Sequence, residues 1–154
     1  MTTDSSSFLQ QYFASTSSFF ISLTEYIFFD TILGHTSNET CHICRDPESY
    51  ADGKHHGESQ ECVALVKNAC GAPQTARWAK GTQVKGNSIT KGTDIASFEG
   101  SNGGYEGHAA IYLSQDSTGI QVVDQWKGHG TSKRTIRFGG SGVSNDGDKF
   151  YAIN

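Results

Sequence analysis

The first 44 residues contain no lysine and no arginine, although they hold four acids, Asp4, Glu25, Asp30 and Glu39. All 12 basic residues and the other 12 acids lie in 45–154, so the net charge of −4 belongs wholly to the N-terminal stretch. A secretory signal peptide needs a positive start and an unbroken apolar core. Here Asp4 stands at the start and Glu25 and Asp30 interrupt the apolar run, which argues against one. Proline is almost missing, at 2 of 154 residues, which excludes a collagen-like chain, and 18 glycines exclude a coiled coil. No run of about 18 uncharged apolar residues exists, so no membrane span is expected. The acidic balance argues against a nucleic-acid partner bound by neutralising phosphates. Four cysteines in 154 residues are too few for a disulfide scaffold.

The length is that of one domain with room for an appendage. We place the boundary near residue 45. Residues 1–44 read as an N-terminal extension in which Phe19, Leu23, Tyr26 and Ile27 recur at helical spacing. Residues 45–154 read as the folded domain. At the junction, Cys41 and Cys44 form a CxxC followed by His55 and His56. Zinc fingers separate their histidines by three to five residues so that both face the metal, whereas adjacent side chains diverge. A local Cys41–Cys44 disulfide or free thiols is therefore the expectation, with neither metal nor cofactor. Four Lys-Gly pairs, beginning at Lys80, Lys85, Lys91 and Lys127, lack the Gly-Lys-Ser/Thr order of a phosphate loop and read as turns.

Chemistry enters at Cys62. Cys62, Leu65, Val66, Ala69 and Cys70 recur at the spacing of a helix with one apolar face, and Gly71 and Pro73 end it. With Ser59 as N-cap, Cys62 falls in the first turn, where the positive helix end favours thiolate over thiol. Cys70 sits two turns away, roughly 12 Å along the axis, too far to bridge Cys62. Downstream, 108–113 and 120–126 read as a hairpin. A three-residue loop pairing Ser114 with Thr118 sets His108 opposite Asp124; a two-residue loop sets it opposite Gln125 instead. A helix-start cysteine, a strand-start histidine and a polar residue on the next strand are the parts of thiol nucleophilic catalysis. Residues 93–98, 133–138 and 149–153 are further candidate strands, giving a sheet of about five.

At these residues the chain resembles the papain-like cysteine amidases of the NlpC/P60 and CHAP superfamily. It is more closely similar to a small bacterial amidase-like family related to type VI secretion amidase effectors. The similarity lies in ECVALVK at 61–67, in GHAAIYLSQD-T-GI-VVDQW at 107–126 and in SKR-I-F at 132–138. The resemblance implies an α+β domain with the nucleophile helix on an antiparallel sheet. It implies amide-bond cleavage in peptidoglycan stem peptides by Cys62, His108 and Asp124, with Gln125 as the alternative third member and the Cys62 N–H at the oxyanion. Gln60, Trp78, Tyr105 and Trp126 are the expected substrate-binding residues. Glu61 stands where CHAP-type relatives carry glutamine, and a carboxylate cannot donate to an oxyanion. Secretion or delivery to a bacterial periplasm follows from the resemblance, as does an immunity protein or secretion machinery as partner. The rival readings are an acyltransferase or general peptidase with the same dyad, a non-catalytic binding or immunity-like module, and a zinc protein through Cys41 and Cys44.

Overall fold

The computed structural model describes residues 42–154. The aromatic helix expected around Phe19–Ile27 and the cysteine at 41 lie outside the described residues. The domain is α+β, with one α-helix, α1 (Cys62–Cys70), and six strands among the described residues. The strands are β1 (Lys80–Gln83), β2 (Asp94–Ser97), β3 (Ala109–Gln115), β4 (Gly119–Trp126), β5 (His129–Arg137) and β6 (Phe150–Ile153). They form one antiparallel sheet in the order β1-β6-β2-β3-β4-β5.

Central β3 is apolar without interruption from Ala109 to Leu113 because both of its faces are covered there. Alternation sends Ala109 and Ile111 towards α1, where they pack with Leu65, Val66, Phe98 and Val123. Ala110 and Tyr112 go to the opposite face, with Ile95, Ile120, Val122, Ile136 and Phe150. The sheet therefore separates two cores, and α1 lies against β3 and β4 on one of them.

Three expectations need correction. The sixth strand, β1, was expected as a Lys-Gly turn. It is a polar edge strand, and at Gly81 a side chain would collide with the Ala152 carbonyl and Asn154. The N-cap of α1 is Glu61 rather than Ser59, so Cys62 is the first helical residue. Ser59 instead accepts from the Glu61 N–H at 3.3 Å, inside a loop that has not yet become helical. The third correction concerns the β3–β4 register. Asp116 N–H donates to the Gly119 carbonyl, making Ser117-Thr118 the turn. The Asp116 carboxylate fixes it by accepting from Thr118 N–H (2.7 Å), the Thr118 hydroxyl (2.6 Å) and Gln121 Nε2 (3.0 Å). A bulge between Tyr112 and Ser114 then moves the pairing back by one residue, to Ile111 opposite Val123. Extended to its end, this register leaves Asp124 diagonal to His108 rather than directly opposite.

The cysteines also pair otherwise than expected. Cys44 is joined to Cys70, with Cα atoms 4.3 Å apart, so its sulfur is unavailable to a metal or to Cys41. Residues 42–44 are thus part of the domain: Ile43 bridges Thr93, and His42 Nδ1 lies 3.3 Å from Asp94 Oδ2. The bond closes a loop of 26 residues onto the C-terminal end of α1. Constraint of the unfolded chain predicts a loss of about 3.5 kcal/mol on reduction. Denaturant unfolding with and without dithiothreitol measures it, and equal midpoints would contradict the expectation.

Candidate active site

α1 ends where the sequence directs, at Gly71 in the left-handed conformation (φ 75°, ψ 20°). Its beginning is set from a distance by Gln125, which is completely buried. The Gln125 Nε2 lies 2.9 Å from the His56 carbonyl, 3.3 Å from that of Ser59 and 3.0 Å from that of Glu61. Its Oε1 accepts from the His56 N–H at 2.8 Å. One side chain from β4 thus holds the loop that delivers Cys62, and Gln60 adds a bond by accepting from the Gly128 N–H at 3.2 Å.

Cys62 is 7% exposed, at the first helical position, where backbone N–H groups have no intrahelical partner. Burial pushes its thiol up, but the hydrogen bond and charge of His108 outweigh burial, helped by the Tyr105 hydroxyl and the Ala109 N–H. The thiol is held below its ordinary range. Tyr105 Oη lies 3.6 Å from Sγ and 3.5 Å from the Gly107 carbonyl. Burial and the neighbouring thiolate push the Tyr105 phenol well above its ordinary range, so it remains a hydroxyl.

His108 immediately precedes β3. Its N–H donates to Ser97 Oγ (2.9 Å) and its carbonyl accepts from Ser97 N–H (3.0 Å), which fixes its backbone to β2. Gly107, at φ +111°, makes this approach possible, since a side chain there would run into Ser97 Oγ and Val143. The imidazole is 5% exposed, and its Nε2 lies 2.7 Å from Asp124 Oδ2. That leaves Nδ1 for the thiol. Burial pulls the imidazole down, while Asp124 and Cys62 raise it, and it is pushed up to about 9.

Asp124 is completely buried, and its Oδ2 also accepts from Arg134 Nε at 2.6 Å. Gln125, one residue further along β4, points to the nucleophile loop. Trp126 is 39% exposed and stacks on His129, with centroids 3.9 Å apart. It lines a cavity of about 430 Å³ together with His108, Arg134, Ser144 and Asn145. Trp78 is a correction: expected in the cleft, it is 6% exposed, with its indole N–H donated to the Pro73 carbonyl at 2.8 Å. Its ring meets that of Tyr105 edge to face, with centroids 4.8 Å apart. The sequence reading missed Arg134, although strand alternation puts it on the Asp124 face of the sheet, next to the Asp124–Ser132 pair. Among the described residues no cluster of His, Cys, Asp and Glu has the form of a metal site, and His56 Nε2 lies 2.9 Å from Asp52 Oδ1.

Residues 32–153 match the family model described as domesticated amidase effector 2. The match begins inside the stretch that charge and composition set apart. Domesticated amidase effector 2 of Ixodes scapularis is 44% identical over 117 residues, covering 71% of this chain and 82% of that protein. The type VI secretion amidase effector 2 protein of Salmonella typhi is 36% identical over 106 residues, covering 62% and 78%. A solved structure of type 6 secretion amidase effector 2 superposes with a TM-score of 0.62 at 31% identity, over 72% of this chain and 92% of that one. The fold is papain-like.

Proposed function

The chain belongs to the domesticated amidase effector 2 family and hydrolyses amide bonds, and we propose that Cys62, His108 and Asp124 carry the reaction, on the stem peptides of peptidoglycan. The observation supporting this reading most directly is one buried chain of contacts, from thiol to imidazole to carboxylate. In it the thiol is held low and the imidazole high, so each stabilises the charge of the other.

The Cys62 thiolate attacks the amide carbonyl carbon and the C=O electrons pass to oxygen. The Cys62 N–H at the start of α1 and the Tyr105 hydroxyl stabilise that oxyanion. As the tetrahedral adduct collapses, the imidazolium of His108 gives its proton to the leaving nitrogen and the C–N bond breaks, leaving an acyl thioester. His108 then takes a proton from water, whose oxygen adds to the thioester carbon, and the carboxylic acid leaves with the thiolate restored. Asp124 orients the imidazole throughout. Because His108 delivers its proton to the amine, the adjoining cavity beside Trp126 receives the leaving fragment.

In this reading residues 45–154, with 42–44 tied to them through the Cys44–Cys70 bond, are the catalytic domain, and the residues before them are an extension. The protein acts on cell wall after secretion or delivery to a bacterial periplasm. Secretion machinery and an immunity protein are the partners implied by relatives named for type VI secretion. No helix among the described residues is long and apolar enough to cross a membrane.

Digestion of purified sacculi tests the reading: chromatography is expected to reveal a muropeptide lost and two peptide fragments gained. The same assay run against pH is expected to hold its rate up to about pH 9, where His108 gives up its proton, and to fall above it. Intact muropeptides, or a rate indifferent to pH across that limb, would count against it.

A further inference from the structure

Arg134 stands on β5, two residues beyond the Asp124–Ser132 pair, and reaches back across the sheet to the site. Its guanidinium is held at three points. Nε donates to Asp124 Oδ2 at 2.6 Å, a terminal nitrogen to Asn145 Oδ1 at 3.1 Å, and the other to the Ser144 carbonyl at 3.4 Å. Its carbon centre lies 5.4 Å from the centre of the Trp126 ring. The oxygen it binds is the same one that His108 Nε2 contacts, while Asp124 Oδ1 is buried without a partner among the described residues.

We propose that Arg134 is a positioning residue: it clamps the Asp124 carboxylate in the orientation His108 needs and, by its charge, sets the pH window in which the Cys62–His108 couple works. A carboxylate bound only to imidazole would concentrate its field on that ring and hold the proton too tightly for transfer to a leaving amine. Sharing Oδ2 with a guanidinium divides the acceptor and places a cation one carboxylate away from the ring. A nearby positive charge favours the deprotonated form of thiol and imidazole alike, so it moves both limbs of the window towards lower pH. The other groups facing the couple are the Tyr105 hydroxyl beside the thiol and the Glu61 carboxylate near Tyr105; Asp124 faces the ring. Arg134 brings a positive side chain into contact with this set.

This inference rests on the couple proposed above, and the alkylation arm of its test does not depend on the natural substrate. Iodoacetamide alkylation of Cys62, read by peptide mass against pH, is measured in the wild type, Arg134→Gln and Arg134→Lys. The glutamine variant is expected to shift the alkylation limbs by roughly one unit to higher pH. The lysine variant is expected to keep the limbs in place, with turnover roughly tenfold slower because it lacks the planar fork. Limbs unmoved in Arg134→Gln would overturn the proposal. So would loss of the fold in Arg134→Gln alongside undiminished turnover in Arg134→Lys, since Arg134 would then be a structural residue only. A wild-type Cys62 that alkylates like an ordinary thiol would overturn the couple, and Arg134's role with it. A depressed wild-type thiol with unmoved variants would overturn Arg134's role alone.

Discussion

Cys62→Ala is expected to abolish amide hydrolysis, by about 10⁴-fold or more, while leaving the domain folded. The loss is large because nothing else within reach can form the acyl intermediate: Tyr105 keeps its proton, and His108 has lost its partner. The fold survives because alanine fills most of the space of a thiol and favours helix, and α1 is held by contacts further along, at Leu65, Val66 and the Cys44–Cys70 bond. Deleting one sulfur from a site 7% exposed costs about 1 kcal/mol of packing. A second term depends on pH. His108 is raised in the folded protein, so its protonated form contributes stability that is complete below its unfolded value near 6.5 and is lost as pH rises through about 9. Part of that contribution comes from Cys62, and the variant loses it below pH 9. Turnover on sacculi, with circular dichroism on the same sample, checks both halves.

The second large effect is expected at Gln125. Gln125→Leu keeps the volume roughly constant but removes every polar contact of that side chain to residues 56–61. The His56 and Ser59 carbonyls and the His56 N–H are left without their partner, while the Glu61 carbonyl keeps only the Ala64 N–H. Each such group costs about 1–3 kcal/mol when water cannot replace the bond. The loop is open to solvent on its outer side, so part of this is recovered and a net loss of about 3–5 kcal/mol is expected. That is a large share of the stability of an ordinary domain. Turnover is expected to fall about 10²-fold at temperatures where the variant is folded, because the loop no longer places Cys62 accurately. The alkaline limb near pH 9 should stay where it is, since Gln125 does not touch His108. A limb that moved would restore Gln125 as the group that orients the imidazole. Chemical denaturation and a pH–rate series separate the two roles.

The sequence reading reached Asp124 through a register that is wrong by an even number. The turn sits further along than Ser114–Thr118 because the Asp116 side chain gathers the N–H groups that follow it, and a bulge then moves the pairing back by one residue. The turn displaces the pairing by three and the bulge takes one back, so near His108 the net displacement is two. A displacement of two leaves every side chain on its original face, so Asp124 still looks towards His108 and Gln125 still looks away. Displacement by one would have exchanged them. The helix was legible in its apolar spacing and its glycine stop, whereas its first residue was not, because Gln125, more than 60 positions away, holds Ser59 out of the helix. β1 was hidden by being a polar edge strand with a glycine in it. The Cys44–Cys70 bond depends on a long-range meeting that spacing does not encode, and the nearer Cys41 drew attention to the wrong pair. Trp78 shows how an aromatic beside a site can be its support: it is buried and packs against Tyr105.

The central claim is that Cys62 becomes acylated during turnover. Rapid acid quenching of the enzyme with its peptide substrate, followed by peptide mass mapping, tests this most directly. An added acyl mass is expected on the peptide carrying Cys62, removed by hydroxylamine and absent from Cys62→Ala. Steady turnover with no such mass, undiminished in the alanine variant, would contradict it.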